Sequence, residues 1–523
     1  MASIQEKLAD SLGRLKAYQD KNKHSILKGQ KALGETHTRR LLQNGYLEPI
    51  IRGWYMPCMP GLEGDTTTWY ASYWDFVAAY CSDRFGSSWC LTPEESLDYY
   101  AGETVAPTQL IIRSPKASNN IITLKHGDTL LDITSSLPDG LVKEAKYGLN
   151  LYSLAEALAY CSPTYFSKSP INARTCLCML NSADEILKVV ADHGNSVRAS
   201  RIVGALRNVN RNEMADKILQ FMKKLGHEIR SEDPFEDKAA EFPGVNRQAV
   251  SPYAVRIRLM WKQMKEQIKG LGLESARAFL SMEDILDSME ENYIKDSYHS
   301  LSIEGYRVTE GLIERVRSGK WNPEDSQADA DRRNALAARG YYQAFLKVKD
   351  SVRKVLQGAE AGKAVAEDFE DWHFEMFQPC ITAGIIKASD LVGYRENQVY
   401  IRGSKHTPLS PDAVREAMPV WMELMEQEED ALVRAILGHF FFVYIHPYMD
   451  GNGRTARFIM NAMLVTGGWW QTDGSRTTLQ DRRMCDRSHE GAELYEGIHR
   501  DADPSAGGMA FRRREEPAYR LSG

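Results

Sequence analysis

The sequence is short of the features that would commit it to a special environment. Its eight cysteines in 523 residues (Cys58, Cys81, Cys90, Cys161, Cys176, Cys178, Cys380, Cys485) form no CxxC pair and no metal-ligand spacing. That argues against a disulfide scaffold or a zinc module and for free thiols in a reducing cytoplasm. No apolar run is long enough for a bilayer; the longest, 431–445, would extend only about 22 Å as a helix. Residues 1–20 are amphipathic and charged, unlike a signal peptide. Excess charge is also lacking, and a formal net charge of −6 predicts no bulk attraction to nucleic acid or membrane. From residue 66 to 227 there is no catalytic constellation. What remains is ordinary globular composition, 43% hydrophobic and 26% charged, in a chain long enough for two to four domains with their own cores. The expectation is a cytoplasmic protein with no membrane partner.

One stretch stands out: His446-Pro-Tyr-Met-Asp-Gly-Asn-Gly-Arg-Thr-Ala-Arg457. Residues 431–445 before it are apolar on nearly every face, which predicts a buried helix. Pro447 ends that helix and leaves His446 at its lip. Residues 454–465 have helical composition, so Gly451, Asn452 and Gly453 fall where a second helix begins. Glycines there free backbone N–H groups for an anion, and the helix dipole favours the same charge. A carboxylate beside phosphate calls for a cation between them, which makes Asp450 a candidate Mg²⁺ ligand. Asn452 can hydrogen-bond a phosphate oxygen, and Arg454 and Arg457 offer forked donors to the others. His446, of a type that titrates near about 6.5, suits a general base. The chemistry implied is nucleotidyl or phosphoryl transfer.

These residues resemble the Fic family signature H-x-F-x-[D/E]-G-N-G-R-x-x-R, with Tyr448 in place of the usual Phe. Seven positions agree, and chance agreement somewhere in the chain is on the order of one in a million. The resemblance implies transfer of AMP from ATP to a hydroxyl side chain of a target protein, with ATP and Mg²⁺ as cofactors. His446 would be catalytic, and Gly451, Asn452, Gly453, Arg454 and Arg457 would bind ATP. Upstream, Ser300, Glu304 and Gly305 match the family's inhibitory motif [S/T]-x-x-x-E-[G/N], on a helix predicted over about 290–305. The resemblance implies that Glu304 engages Arg457 and holds the protein off. Removal of AMP by the same site is a secondary implication. Residues 393–403 alternate like a hairpin with Glu396-Asn397 at its centre. The resemblance makes this a flap that clamps the target segment, with Val399 and Ile401 pinning its Ser, Thr or Tyr. His373, on the inner face expected of a helix over 364–377, reads as a hydrogen-bonded core histidine.

The rest of the chain is less specific. Residues 1–60 carry ten Lys or Arg against five Asp or Glu. Helices at 25–34 and 35–44 followed by a strand at 46–56 resemble a winged helix-turn-helix, with Arg39, Arg40 and Arg52 as candidate DNA contacts. The alternative is a basic helical module that binds protein. Strands at 110–112 and 121–124 and helices at 153–160, 183–191 and 212–225 predict a mixed α/β region over 61–230. With the first module it resembles the antitoxin component of abortive-infection toxin-antitoxin systems. The second functional reading is therefore a DNA-binding, antitoxin-like transcriptional regulator with a silent or regulatory Fic module. A polar linker is expected at 231–250. Residues 255–268 resume helical periodicity, their Arg and Lys read as a solvated face. The expected fold is mainly α: an all-helical Fic core over 251–470 with a β-hairpin flap, and a homodimer is compatible with it. After Gly467-Gly468 the pattern breaks. Residues 471–523 carry 19 charged against 15 apolar residues and lack the Arg-Arg-x-x-Tyr helix usual in the family, so they read as an atypical tail.

Overall fold

Helices make up most of the described residues. The computed structural model describes residues 3–22, 26–29, 32–61, 66–191, 195–236, 251–272, 281–321 and 329–469. Both the tail at 471–523 and most of the linker lie outside them.

The first module contains α1 (Ile4–Asn22), β1 (Leu27–Lys28), α2 (Glu35–Gln43), β2 (Leu47–Ile51) and β3 (Trp54–Pro57), with the strands ordered β1-β3-β2. The helix expected at 25–34 is not there. Leu27 and Lys28 pair with Tyr55 and Trp54, a register that buries Ile26 and Leu27, and α1 packs on α2 in its stead. The strand expected at 46–56 is a hairpin that reverses at Arg52-Gly53. Arg39 and Arg52 are exposed. Arg40 is not available as expected, because its guanidinium donates to Lys7 O at 2.9 Å and Ser11 Oγ at 2.8 Å, tying α2 to α1.

The middle region holds α3 (Thr66–Phe85), β4 (Cys90–Leu91), α4 (Pro93–Tyr100), β5 (Gln109–Ser114), β6 (Ile121–Thr123), β7 (Thr129–Thr134), β8 (Val142–Lys143) and β9 (Asn150–Leu151). Its main sheet runs β4-β5-β7-β6, with β5 and β7 parallel. Six helices follow: α5 (Leu154–Tyr160), α6 (Tyr165–Lys168), α7 (Pro170–Met179), α8 (Ala183–Val190), α9 (Ser196–Asn208) and α10 (Asn212–Lys224). The start of the expected linker packs against them: Phe235 is buried and Asn208 donates to Asp233 at 2.9 Å.

The C-terminal bundle comprises α11 (Pro252–Gly270), α12 (Met282–Ile303), α13 (Glu310–Arg317), α14 (Asp329–Leu356), α15 (Ala361–Thr382), α16 (Pro411–Gln427), α17 (Ala431–Ile445) and α18 (Asn452–Thr466). α11 belongs to two cores: Val255 joins that of α4–α10, and Ile257, Met260 and Trp261 join that of the bundle. Arg256, read from sequence as part of a solvated face, is fully buried. Its Nη2 donates to Glu103 of the middle region at 2.7 Å, and its Nη1 donates to Asn172. A buried guanidinium needs such a partner, and the partner lies more than 150 residues upstream. Among the described residues no helix is long and apolar enough to cross a membrane.

Candidate active site

The site lies where α17 ends and α18 begins. Asp430 starts α17 by accepting from Leu432 N and Val433 N, and its apolar residues fill the bundle core. Pro447 stops it. His446 turns into the left-handed region, φ 56° and ψ 63°, a conformation costing a β-carbon-bearing residue about 1–2 kcal/mol. Hydrogen bonds hold it there. His446 N donates to Phe442 O at 2.9 Å, and Arg395 Nε donates to His446 O at 2.7 Å. His446 Nδ1 lies 3.1 Å from Val443 O. A carbonyl can only accept, so Nδ1 carries the proton and the Nε2 lone pair is left for another partner. Burial holds the imidazole down to about 4, against weaker opposing effects of the Val443 carbonyl, Glu304 and Asp450.

The 447–451 loop is locked from within. Asn452 is buried, and its amide both accepts from Tyr448 N at 2.9 Å and donates to Tyr448 O at 2.8 Å. Its side chain therefore braces the loop, where the sequence reading had it meeting phosphate directly. Tyr448 stacks on His373 with centroids 3.7 Å apart and planes 13° apart. His373 Nε2 lies 2.9 Å from Asp450 O, so this buried histidine supports the loop from beneath, and burial lowers it to about 4. Gly451 has φ 86°, and a Cβ there would sit 2.7 Å from the Phe377 ring; both observations demand glycine.

α18 then presents its N-terminus. Arg454 is almost fully buried, between the Tyr306 and Phe377 rings at 5.3 and 5.0 Å. It donates to Asp450 Oδ1 at 3.0 Å, an oxygen that also accepts from Gly451 N at 2.6 Å. Arg457 is claimed by α12: Nε donates to Ser300 Oγ at 2.8 Å, and Nη2 donates to Ser300 O at 3.2 Å and Glu304 Oε1 at 2.7 Å. The same Glu304 oxygen hangs over the first turn of α18, 2.4 Å from where a Gly453 Cβ would be. α12 ends with Glu304 as its cap and Gly305 at φ 81°. It is pinned to α14 and α18 through Asp296, which accepts from Tyr341 Oη at 2.7 Å and Asn461 Nδ2 at 3.2 Å.

His446, Asp450, Gly451, Asn452, Gly453, Arg454, Arg457, Ser300, Glu304 and Gly305 thus converge on one junction. Val399 and Ile401 lie on a segment without the expected hairpin. No ladder forms in 393–403. Side chains shape the segment: Arg395 donates to Asn397 O at 2.9 Å and to Leu409 O, and Gln398 donates to Pro408 O at 2.7 Å. Arg395, Tyr306 and Phe377 are site residues that sequence reasoning missed. Only Tyr306, directly after Gly305, had a positional cue.

The Fic/DOC family model matches residues 366–464. The protein adenylyltransferase Fic of Nematostella vectensis is 38% identical over 80 residues, covering 14% of this chain and 18% of that protein. The protein adenylyltransferase fic-1 of Caenorhabditis elegans is 27% identical over 186 residues, covering 35% of this chain and 33% of that protein. The chain thus spans between 18% and 33% of the length of these relatives. Among solved structures, a Fic-1 fragment from C. elegans aligns at 18% identity and TM-score 0.29, over 67% of this chain and 92% of that one. A Fic family protein from Desulfovibrio desulfuricans G20 aligns at 18% identity and TM-score 0.28, over 49% and 69%.

Proposed function

From the premise that residues 366–464 of this chain are a Fic/DOC domain, we propose that it transfers AMP from ATP to a hydroxyl side chain of a target protein and is held inactive by Glu304. The target hydroxyl oxygen attacks the α-phosphorus in line. The bond from that phosphorus to the bridging oxygen breaks, pyrophosphate leaves, and the hydroxyl proton passes to His446 Nε2. A neutral imidazole with its proton fixed on Nδ1 is the form that can accept it. The free N–H groups of the first turn of α18, with Arg454 behind them, stabilise charge on the phosphates.

The residues present fit Mg²⁺. The Asp450 side chain is half exposed, with Oδ1 tied to Gly451 and Arg454. No group of three or more His, Cys, Asp or Glu suited to a metal ion occurs among the described residues, and Mg²⁺ held largely by phosphates and water needs only one or two carboxylates. Asp450 would hold the ion, which neutralises phosphate charge when bound.

The observation that carries the reading of inhibition is the Glu304–Arg457 pair. While Glu304 holds Arg457 and overhangs Gly453, those donors are denied to a triphosphate. A charge-assisted hydrogen bond of this kind is worth about 1.5–3 kcal/mol, roughly a ten- to hundredfold change in rate or affinity. Radiolabelled ATP is therefore expected to mark protein ten- to hundredfold more in Glu304→Gly than in the unmodified chain. It should mark none in Glu304→Gly/His446→Ala. Equal labelling of the single and double variants would remove His446 as the base.

A further inference from the structure

We propose that His406, held by Thr104 of the middle region, is a positioning residue for His446. The inference rests on the transfer reading above and adds to it a part played by residues more than 300 positions upstream.

Beyond Phe442, the last carbonyls of α17 have no intrahelical N–H once Pro447 has ended the helix. Phe442 O accepts from His446 N at 2.9 Å, and Val443 O takes the proton of His446 Nδ1. Tyr444 O would accept from Tyr448 N if the helix ran on, but Tyr448 N is bonded to Asn452 Oδ1. His406 fills the vacancy: its Nε2 lies 3.0 Å from Tyr444 O, and its ring stacks on Tyr444 with centroids 4.7 Å apart and planes 22° apart. A carbonyl partner fixes the His406 proton on Nε2 and leaves Nδ1 as an acceptor. Thr104 Oγ1 lies 2.9 Å from that Nδ1 and can donate to it.

The Thr104 loop is itself anchored. Thr407 N donates to Thr104 O at 2.9 Å, Val105 forms an isolated antiparallel bridge with His406, and the adjacent Glu103 holds buried Arg256. Arg256 Nε completes the brace by donating to Tyr444 Oη at 3.3 Å. Tyr444 is therefore gripped at its carbonyl, its ring and its hydroxyl, two residues before a base in a strained left-handed conformation. A base displaced by a fraction of an ångström loses rate without losing nucleotide. Burial lowers His406 to about 4, so it stays neutral and the bond to Tyr444 O persists at ordinary pH.

The test uses the full chain carrying Glu304→Gly, with His406→Ala, His406→Gln or Thr104→Val added. For His406→Ala, kcat is expected to fall about tenfold with KM for ATP unchanged, a split that loss of fold would not give. His406→Gln keeps a donor for Tyr444 O and should recover kcat to within about threefold, and Thr104→Val should fall between. Hydrogen exchange read by mass spectrometry should show peptides over 441–448 exchanging about tenfold faster in His406→Ala, with α18 unchanged. Parental kcat together with parental exchange in His406→Ala would overturn the proposal. So would a fall in kcat that His406→Gln does not recover. If His406→Ala does not fold, Thr104→Val decides by the same two readouts. If the Glu304→Gly parent transfers no AMP, the transfer reading fails, and exchange at 441–448 still decides whether His406 holds the end of α17.

Discussion

At the residue scale, the site depends on which proton and which lone pair face the reaction. His446 is displaced from the ordinary value of 6.5 to about 4 because burial disfavours its charged form. The neutral base is then populated throughout the physiological range and is lost only as pH falls toward 4. Glu304 is one of the groups that raise His446, so in Glu304→Gly the acid limb of kcat/KM is expected at or below pH 4, well below that of a solvated histidine; a limb near 6.5 would mean another group accepts the proton. Asn452 carries a different kind of constraint. Its amide satisfies both backbone groups of Tyr448, so Asn452→Ala leaves a buried donor and acceptor unpaired. The expected loss is about 2–4 kcal/mol of stability in urea unfolding, with transfer activity falling as the loop slackens. Both residues were legible in the sequence, His446 as a base from its residue type and its place at the end of a helix, Asn452 only as a phosphate contact. For Asn452 the four-residue spacing to Tyr448 was the available cue to a loop brace, and a polar side chain beside a glycine reads equally well either way.

Elements were legible to the extent that they are long and periodic. α17 and α18 lie where apolar spacing and the Gly and Pro stops predict them, since burial of one face determines both, whereas α12 begins at Met282, ahead of the expected 290, and α15 extends past the expected 364–377 and through Pro379. The two-residue β1 was not legible, because its pairing with β3 is a tertiary contact and its flanks are no different from helix. The irregular segment at 393–403 failed for a related reason. Alternation predicts a ladder, but the Arg395 and Gln398 side chains take the Asn397 and Val399 carbonyls within the segment. Close helix packing is another property hidden from local pattern. A Cβ on Gly340 of α14 would lie 1.9 Å from Met376 O on α15, and one on Gly362 of α15 would lie 1.9 Å from Met425 O on α16. Backbone carbonyls inside helices cannot swing away. Gly340→Ala is thus expected to destabilise the bundle by about 1–3 kcal/mol despite the better helix propensity of alanine, seen as a lower thermal midpoint. An unchanged or higher midpoint would show that α14 and α15 separate freely.

At the scale of the whole molecule, the regions on either side of the expected linker at 231–250 share a helix. α11 contributes to both cores, and Arg256 sits between them with Glu103 and Asn172. Burial alone would raise the Glu103 carboxyl, yet the Arg256 guanidinium, together with hydrogen bonds from Asn172 and Val105 N, outweighs it and holds Glu103 below its ordinary 4.5. The sign of the linkage follows. The stabilisation is complete above pH 4.5 and is lost as pH falls below it through the folded-state value. Arg256→Met strands a mostly buried carboxylate and is expected to cost about 3–5 kcal/mol, whereas adding Glu103→Gln should restore most of the loss because no unpaired charge then remains. Calorimetry makes the consequence visible. If this pair couples the two cores, the unmodified chain unfolds them in one transition, Arg256→Met splits the transition in two, and the double variant brings the two back together. A single, unshifted transition in Arg256→Met would locate the coupling in the apolar packing of α11 instead.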